Sequence, residues 1–142
     1  MYSVYSFNDI AISLNHPSVG AYSAVGEGIG DVTISYAADR TAHDVSSDGY
    51  VMVSKIKNRS GNITLNVLQV SGFNDYLYKW WNYIEQAPAA EYADMTITMR
   101  SISGTDNIVL TGVAPQKPAD KPFQAQGQTV SWTLMAADID MK

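Results

Sequence analysis

Residues 61–88 read GNITLNVLQVSGFNDYLYKWWNYIEQAP, and this stretch contains both periodicities that decide the fold. In its first half Ile63, Leu65 and Val67 alternate with Thr64 and Asn66, the period-two pattern of a half-buried strand. In its second half Phe73, Tyr76, Leu77, Trp80, Trp81 and Ile84 recur at i, i+3, i+4, i+7, i+8 and i+11. That is the apolar stripe of an amphipathic helix, expected over about 72–87, with Ser71 or Asn74 as cap and Pro88 as stop. Each such side chain gains about 1.5–3 kcal/mol on burial, so the stripe must pack against the strands or another subunit.

The period-two reading extends in both directions. Ile10, Ile12 and Leu14 alternate with Ala11 and Ser13, and Val32, Ile34 and Tyr36 with Thr33 and Ser35. Met95, Ile97 and Met99 alternate with Thr96 and Thr98, and Val130, Trp132 and Leu134 with Ser131 and Thr133. Residues 50–57 and 107–113 are weaker strand patterns, and Ser103-Gly104-Thr105-Asp106 reads as a hairpin turn. The expected fold is mainly β: an antiparallel sandwich or barrel with one flanking α-helix, in a single domain over 1–142. Two connections are long, 37–49 and 114–128, and they read as extended hairpin arms, interface segments or solvated loops. The polar strand positions carry Ser, Thr and Asn in place of Lys or Glu. Thr suits strands, but neutral faces without lysine gatekeepers also suit sheets that pair with other chains.

Composition excludes several classes of chemistry. Of the 142 residues, 46% are apolar and 16% charged, a globular balance. The net charge of −5 leaves no cationic excess for binding nucleic acid by counterion release. With no cysteine, disulfides, thiolate metal sites and thiol nucleophiles are all excluded. Met1–Asp9 has neither a basic start nor an apolar run, so no signal peptide is expected, and the chain is expected in the cytoplasm. Gly26-Glu27-Gly28-Ile29-Gly30 is followed by a strand, the wrong context for a nucleotide loop. His43 beside Asp44, with Asp39 and Asp48 near, suggests a metal loop but has no established ligand spacing and reads as a polar loop tip. Asp138 and Asp140 share a strand face and would be a hydrolase acid pair only if a cleft separated them. Trp80 and Trp81 could stack on sugars in a monomeric carbohydrate-binding β-sandwich, although both lie in the helical stripe. No catalytic, cofactor-binding or metal-binding residue is assigned, and no cofactor is expected.

Several short stretches carry a resemblance. Asp48-Gly49-Tyr50-Val51-Met52-Val53-Ser54-Lys55 and Ser60-Gly61-Asn62-Ile63-Thr64-Leu65 resemble segments of tail tube proteins from contractile-tailed bacteriophages. So do Lys117-Pro118-Ala119-Asp120, Trp132-Thr133-Leu134, the opening Tyr5-Ser6-Phe7-Asn8-Asp9 and the turn Gly28-Ile29-Gly30-Asp31. The fold is shared with pyocin and type VI secretion tubes. The resemblance implies hexameric rings whose inner sheets close into one barrel, stacked into a DNA conduit within a contractile sheath. It implies a ring-stacking arm at 37–49, carrying Asp39, Arg40, Thr41, His43, Asp44 and Asp48. It implies a lumen face, which strand alternation assigns to Thr64, Asn66, Thr96 and Thr98. The implied partners are other copies of the chain and the sheath, baseplate and tail terminator proteins, with DNA as passing cargo. The implied location is the virion tail, after assembly in the host cytoplasm.

Overall fold

The computed structural model describes residues 10–25, 29–101, 107–121, 123–124 and 126–141. The expectations for Met1–Asp9, for Gly26–Gly28 and for the Ser103–Asp106 turn lie outside them. The chain forms β1 (Ile10–His16), β2 (Gly20–Val25), β3 (Ile29–Tyr36), β4 (Thr41–Val45), β5 (Val51–Lys55) and β6 (Gly61–Leu68). Then come α1 (Gly72–Gln86), β7 (Met95–Ser101), β8 (Asn107–Pro115) and β9 (Thr129–Met141). Seven strands make one antiparallel sheet in the order β2-β1-β7-β8-β9-β6-β3, curled into a half-barrel. β4 and β5 form a separate two-stranded hairpin.

The residues on one face of each strand become the core. Ile12, Leu14, Ile63, Leu65, Val67, Met95, Ile97, Leu110, Trp132 and Leu134 are essentially fully buried. Onto them docks α1, whose Phe73, Tyr76, Leu77, Trp80 and Ile84 are buried and whose Trp81 is partly buried against the same core. Ser71 caps the helix by accepting from the Asn74 backbone N–H at 3.2 Å. Asn74 is itself buried, and its Oδ1 accepts from Trp132 Nε1 at 3.0 Å while its Nδ2 donates to the Gln69 carbonyl. This ties the start of the helix to β9. On the other side, Tyr76 donates to the Gly20 carbonyl at 2.7 Å and Tyr22 stands edge-on to Phe73. Burial pushes the Tyr76 phenol up, which keeps it a neutral donor.

Two strands change phase together. In β8 the buried positions run Leu110, Val113 and Pro115, and in β9 they run Val130, Trp132, Leu134, Ala136 and then Ile139. Leu110 pairs with Ile139 and Val113 with Ala136, so two pairs intervene where alternation allows one. Gly112 sits in this interval with φ +65°, and a Cβ there would lie 2.7 Å from the Ala137 Cβ. Only glycine takes that backbone without strain.

Some expectations need correction. The arm expected at 37–49 extends further: it contains β4 and the turn, and its returning strand β5 runs on to Lys55. Strand β2, whose sequence is GAYSAV, goes beyond the strands expected from alternation. The 114–128 connection is partly packed. Ala119 is buried, its carbonyl accepts from Tyr78 at 2.6 Å, and Lys121 stands 4.2 Å over the Tyr78 ring. Residues 116–121 therefore act as a strap over the helix.

Two polar clasps hold distant segments together. His16 is fully buried, its Nε2 lies 3.0 Å from the Glu91 carbonyl, and its Nδ1 faces the Ser18 and Val19 backbone N–H groups. An Nδ1 that accepts two backbone donors leaves the proton on Nε2. The Glu91 carboxylate accepts from Tyr83 and Ser18, and these two hydroxyls hold it below the usual carboxylate range. Arg59 grips Asp138 with two hydrogen bonds of 2.7 and 2.6 Å, which likewise lowers the Asp138 carboxyl.

Gly61 lies where β3, β6 and β9 meet. A Cβ there would press on the Ser35 carbonyl oxygen and stand 2.5 Å from Ile139 Cδ1. Gly61→Ala is expected to destabilise the fold by about 1–3 kcal/mol through overpacking, read as a lowered thermal midpoint by circular dichroism. An unchanged midpoint would show that the strands part more easily than the packing implies. Glu91 and Asp138 have depressed folded-state values. The stability they add is therefore present above their unfolded values, about 4, and is lost as pH falls through the folded values. Thermal melts from pH 6 to pH 2 should show that loss in the wild type and a flatter acid limb in Glu91→Gln with Asp138→Asn.

Candidate functional site: sheet edges, a polar sheet face and a projecting hairpin

The large sheet is poor in charge. Its strands carry only Asp31, Arg100, Asp138 and Asp140. Its two edges are β2, with no charged residue, and β3, with Asp31 alone. Edge strands of monomers are ordinarily guarded by lysine, proline or inward charge, and these two have none of them.

Thr64 and Asn66 on β6, and Thr96 and Thr98 on β7, are half-buried and point away from the core, since Ile63, Leu65, Val67, Met95 and Ile97 fill the other face. All four lie on one sheet face, but β8 and β9 separate the two pairs. Registers extend them into rows across the sheet. Thr33, Thr64 and Thr133 stand side by side, as do Asp31, Asn66 and Ser131, and Ser23, Ser13 and Thr98. The second row is hydrogen-bonded throughout: Asn66 Nδ2 donates to Asp31 and Ser131 Oγ donates to Asn66 Oδ1. This row was not foreseen in the sequence, because it joins three strands through pairing that alternation cannot give.

The hairpin is held at its root and nowhere buried. Arg40 Nε donates to the Ile56 carbonyl at 2.9 Å and its guanidinium stands 5.4 Å over the Tyr36 ring. Thr41 pairs with Lys55, His43 with Val53, Asp44 with Met52 and Val45 with Val51. Asp48 sits in the turn, accepting from Ser46 Oγ and the Tyr50 N–H, and these bonds lower its carboxyl below the usual range. Gly49, at φ +89°, completes the turn. Every residue from Thr41 to Lys55 is exposed, including Tyr50 at 74% and Val53 at 62%. Val45, Val51, Met52 and Val53 are exposed as well. The signal for this was in the sequence: Val51-Met52-Val53 puts apolar residues on both sides of one strand, and one core can take only one side.

Other candidates dissolve. Asp39, His43, Asp44 and Asp48 do not converge, and no three potential metal ligands gather among the described residues. Asp138 is engaged by Arg59. Trp80 is fully buried, so the two indoles form no open stacking platform. Among the described residues no helix is long and apolar enough to cross a membrane.

No curated protein matches the sequence. In fold the chain is similar to a chain of the PVC extracellular contractile injection system sheath/tube terminator, at 20% identity and TM-score 0.62, covering 100% of this chain and 98% of that one. It is also similar to a chain of the PVC sheath-tube complex, at 18% identity and TM-score 0.60, covering 99% and 92%. The anti-feeding prophage tube-terminating cap follows at 12% identity and TM-score 0.59, covering 100% and 92%. The family of the bacteriophage PhiTE tail tube protein matches residues 2–142, and the chain belongs to that family as a structural tail tube protein.

Proposed function

We propose that this chain is the repeating subunit of the tube: six copies close a ring through their sheet edges, and rings stack through the hairpin into a conduit within a contractile sheath. The observation that carries the reading is the pair of long sheet edges, β2 and β3, with no lysine on either. Closing the sheet between neighbouring copies satisfies those backbone groups and removes the edges. The rows of Ser, Thr and Asn, including Thr64, Asn66, Thr96 and Thr98, then line the lumen. Six copies at −5 each give a ring of about −30, which repels DNA rather than holding it. DNA is cargo in this reading, and the subunit performs no catalysis. The hairpin carrying Thr41, His43, Asp44 and Asp48, with Asp39 and Arg40 at its root, is the stacking arm. Sheath, baseplate and terminator proteins are its further partners, in keeping with the sheath-tube, terminator, cap and baseplate assemblies whose chains share this fold. The particle assembles in the host cytoplasm and the subunit ends in the virion.

Purified protein should form tubes of uniform width in negative-stain micrographs. A chain that stays monomeric at high concentration would overturn the reading. Replacing Thr41–Lys55 with a short Gly-Ser link should leave rings or monomers and abolish tubes, with far-UV circular dichroism close to wild type. Thr64→Lys with Thr98→Lys should leave tubes intact but slow DNA delivery from assembled particles, because cations in the wall would hold phosphates. Delivery at the wild-type rate would count against a lumen on that face.

A further inference from the structure

The projecting hairpin continues two strands of the body, with an interruption. The β3–β6 ladder ends with Tyr36 opposite Gly61 and one further bond, Ala37 N–H to the Ser60 carbonyl at 2.9 Å. The hairpin ladder begins at Arg40 and Ile56. There the Ile56 N–H donates to the Arg40 carbonyl at 3.0 Å and Arg40 Nε donates to the Ile56 carbonyl at 2.9 Å. Thr41 opposite Lys55 follows. Between the two ladders Ala38 and Asp39 form one leg and Lys57, Asn58 and Arg59 the other. Two residues stand against three, so the cross-strand pairing lapses there.

The two legs are held unequally. No hydrogen bond joins Ala38 or Asp39 to another described residue. Arg59, in contrast, is tied to β9 three times. Its carbonyl accepts from the Ile139 N–H at 2.9 Å, and its guanidinium donates to both Asp138 carboxylate oxygens, at 2.7 and 2.6 Å. The Arg40 charge also attracts Asp138, from the arm side of the gap.

We propose that this gap is the hinge of the arm and that the Arg59–Asp138 ion pair is the latch that holds the arm in one direction. The use of a held arm for stacking rests on the tube reading above, whereas the hinge and latch belong to the single chain. Arg59 is then a positioning residue: it touches nothing at the tip but decides where the tip stands. The lever is long. From the gap to Asp48 the strand rise gives about 25 Å, so a swing of about 20° displaces the tip by about 9 Å. A segment with few bonds and no buried side chain has little else to resist such a swing. The two latch side chains are 41% and 42% exposed, and an ion pair in that setting is weak enough to open and reclose while its two-pronged geometry still fixes one direction.

The cysteine-free sequence allows the arm to be labelled cleanly. Ser47→Cys at the tip and Lys79→Cys on the exposed side of α1 carry nitroxide labels, and pulsed electron resonance on spin-diluted protein reads the distance between them. The parent should give one narrow distance peak. Asp138→Ala and Arg59→Met should each give a peak at least about twice as wide, given the reach of the lever. The double variant should be no wider than either single one, because both substitutions open the same latch. A Ser13–Lys79 label pair, with both sites in the body, should keep its width throughout, which separates a released arm from a loosened fold. Asp138→Ala should also raise the concentration needed for tubes about threefold or more, since apparent affinity falls with the fraction of arms held in the docking direction. A parent peak that is already broad, a tip distance unchanged in Asp138→Ala, widths that add in the double variant, or a body pair that broadens with the tip pair overturns the latch. Tubes that form equally well with a released arm overturn its use in stacking. Wild-type protein that never assembles overturns the tube reading and leaves the latch to be judged by the label distances alone.

Discussion

One helix of fifteen residues must cover the apolar face of a seven-stranded sheet. Seven strands laid flat span about 29 Å, while a helix with its side chains is about 10–12 Å across. A flat sheet would leave half its apolar face in water. The sheet curls instead, and the curl lets α1 touch β2 through Tyr76 and Gly20 on one side and β9 through Asn74 and Trp132 on the other. Much else follows from that need. Gly112 passes close to Ala137 where the two strands change phase, Gly61 admits β3 and β9 at close range, and the 116–121 strap holds the helix at Tyr78.

The curl satisfies the apolar face but not the backbone. A half-barrel still ends in two edges, and here the edge strands carry one charge between them, Asp31, and no lysine. The hairpin has the same property in a second place: its strands pair with each other, and their side chains meet only solvent. A chain that buries its core well and leaves three such features open has the surfaces that the proposed assembly would cover. Family membership across residues 2–142 accords with that reading from an independent direction.

The sequence made the core legible for a physical reason. Period two and period 3.6 are local signals, and Ile63-Thr64-Leu65 and Trp80-Trp81-Ile84 display them without any knowledge of their partners. β2 escaped because Gly20-Ala21-Tyr22-Ser23-Ala24 has a single large side chain, Tyr22, and its strand identity comes from pairing with β1 rather than from its own hydrophobicity. The His16–Glu91 and Arg59–Asp138 clasps join residues 75 and 79 positions apart, and nothing local announces them. The hairpin was half legible: the length of 37–49 marks an arm, but the weak strand pattern at 50–57 does not show that this strand returns along it.

The charge balance takes on a different meaning in an assembly. In a monomer, −5 over 142 residues is an unremarkable surface property. In the proposed tube the distribution matters more than the sum. The large sheet concentrates neutral hydroxyls and amides on the face away from the helix, and its four charges lie on three of its seven strands. Hydroxyl and amide groups hold water well and release no counterions when phosphate passes, so they offer DNA no net gain for stopping. Lysine would protect the sheet edges, but in a ring those edges are paired and lysine would face the cargo as well. Omitting it therefore meets two demands together: it leaves the edges free to close between copies, and it leaves the wall unable to retain what passes through.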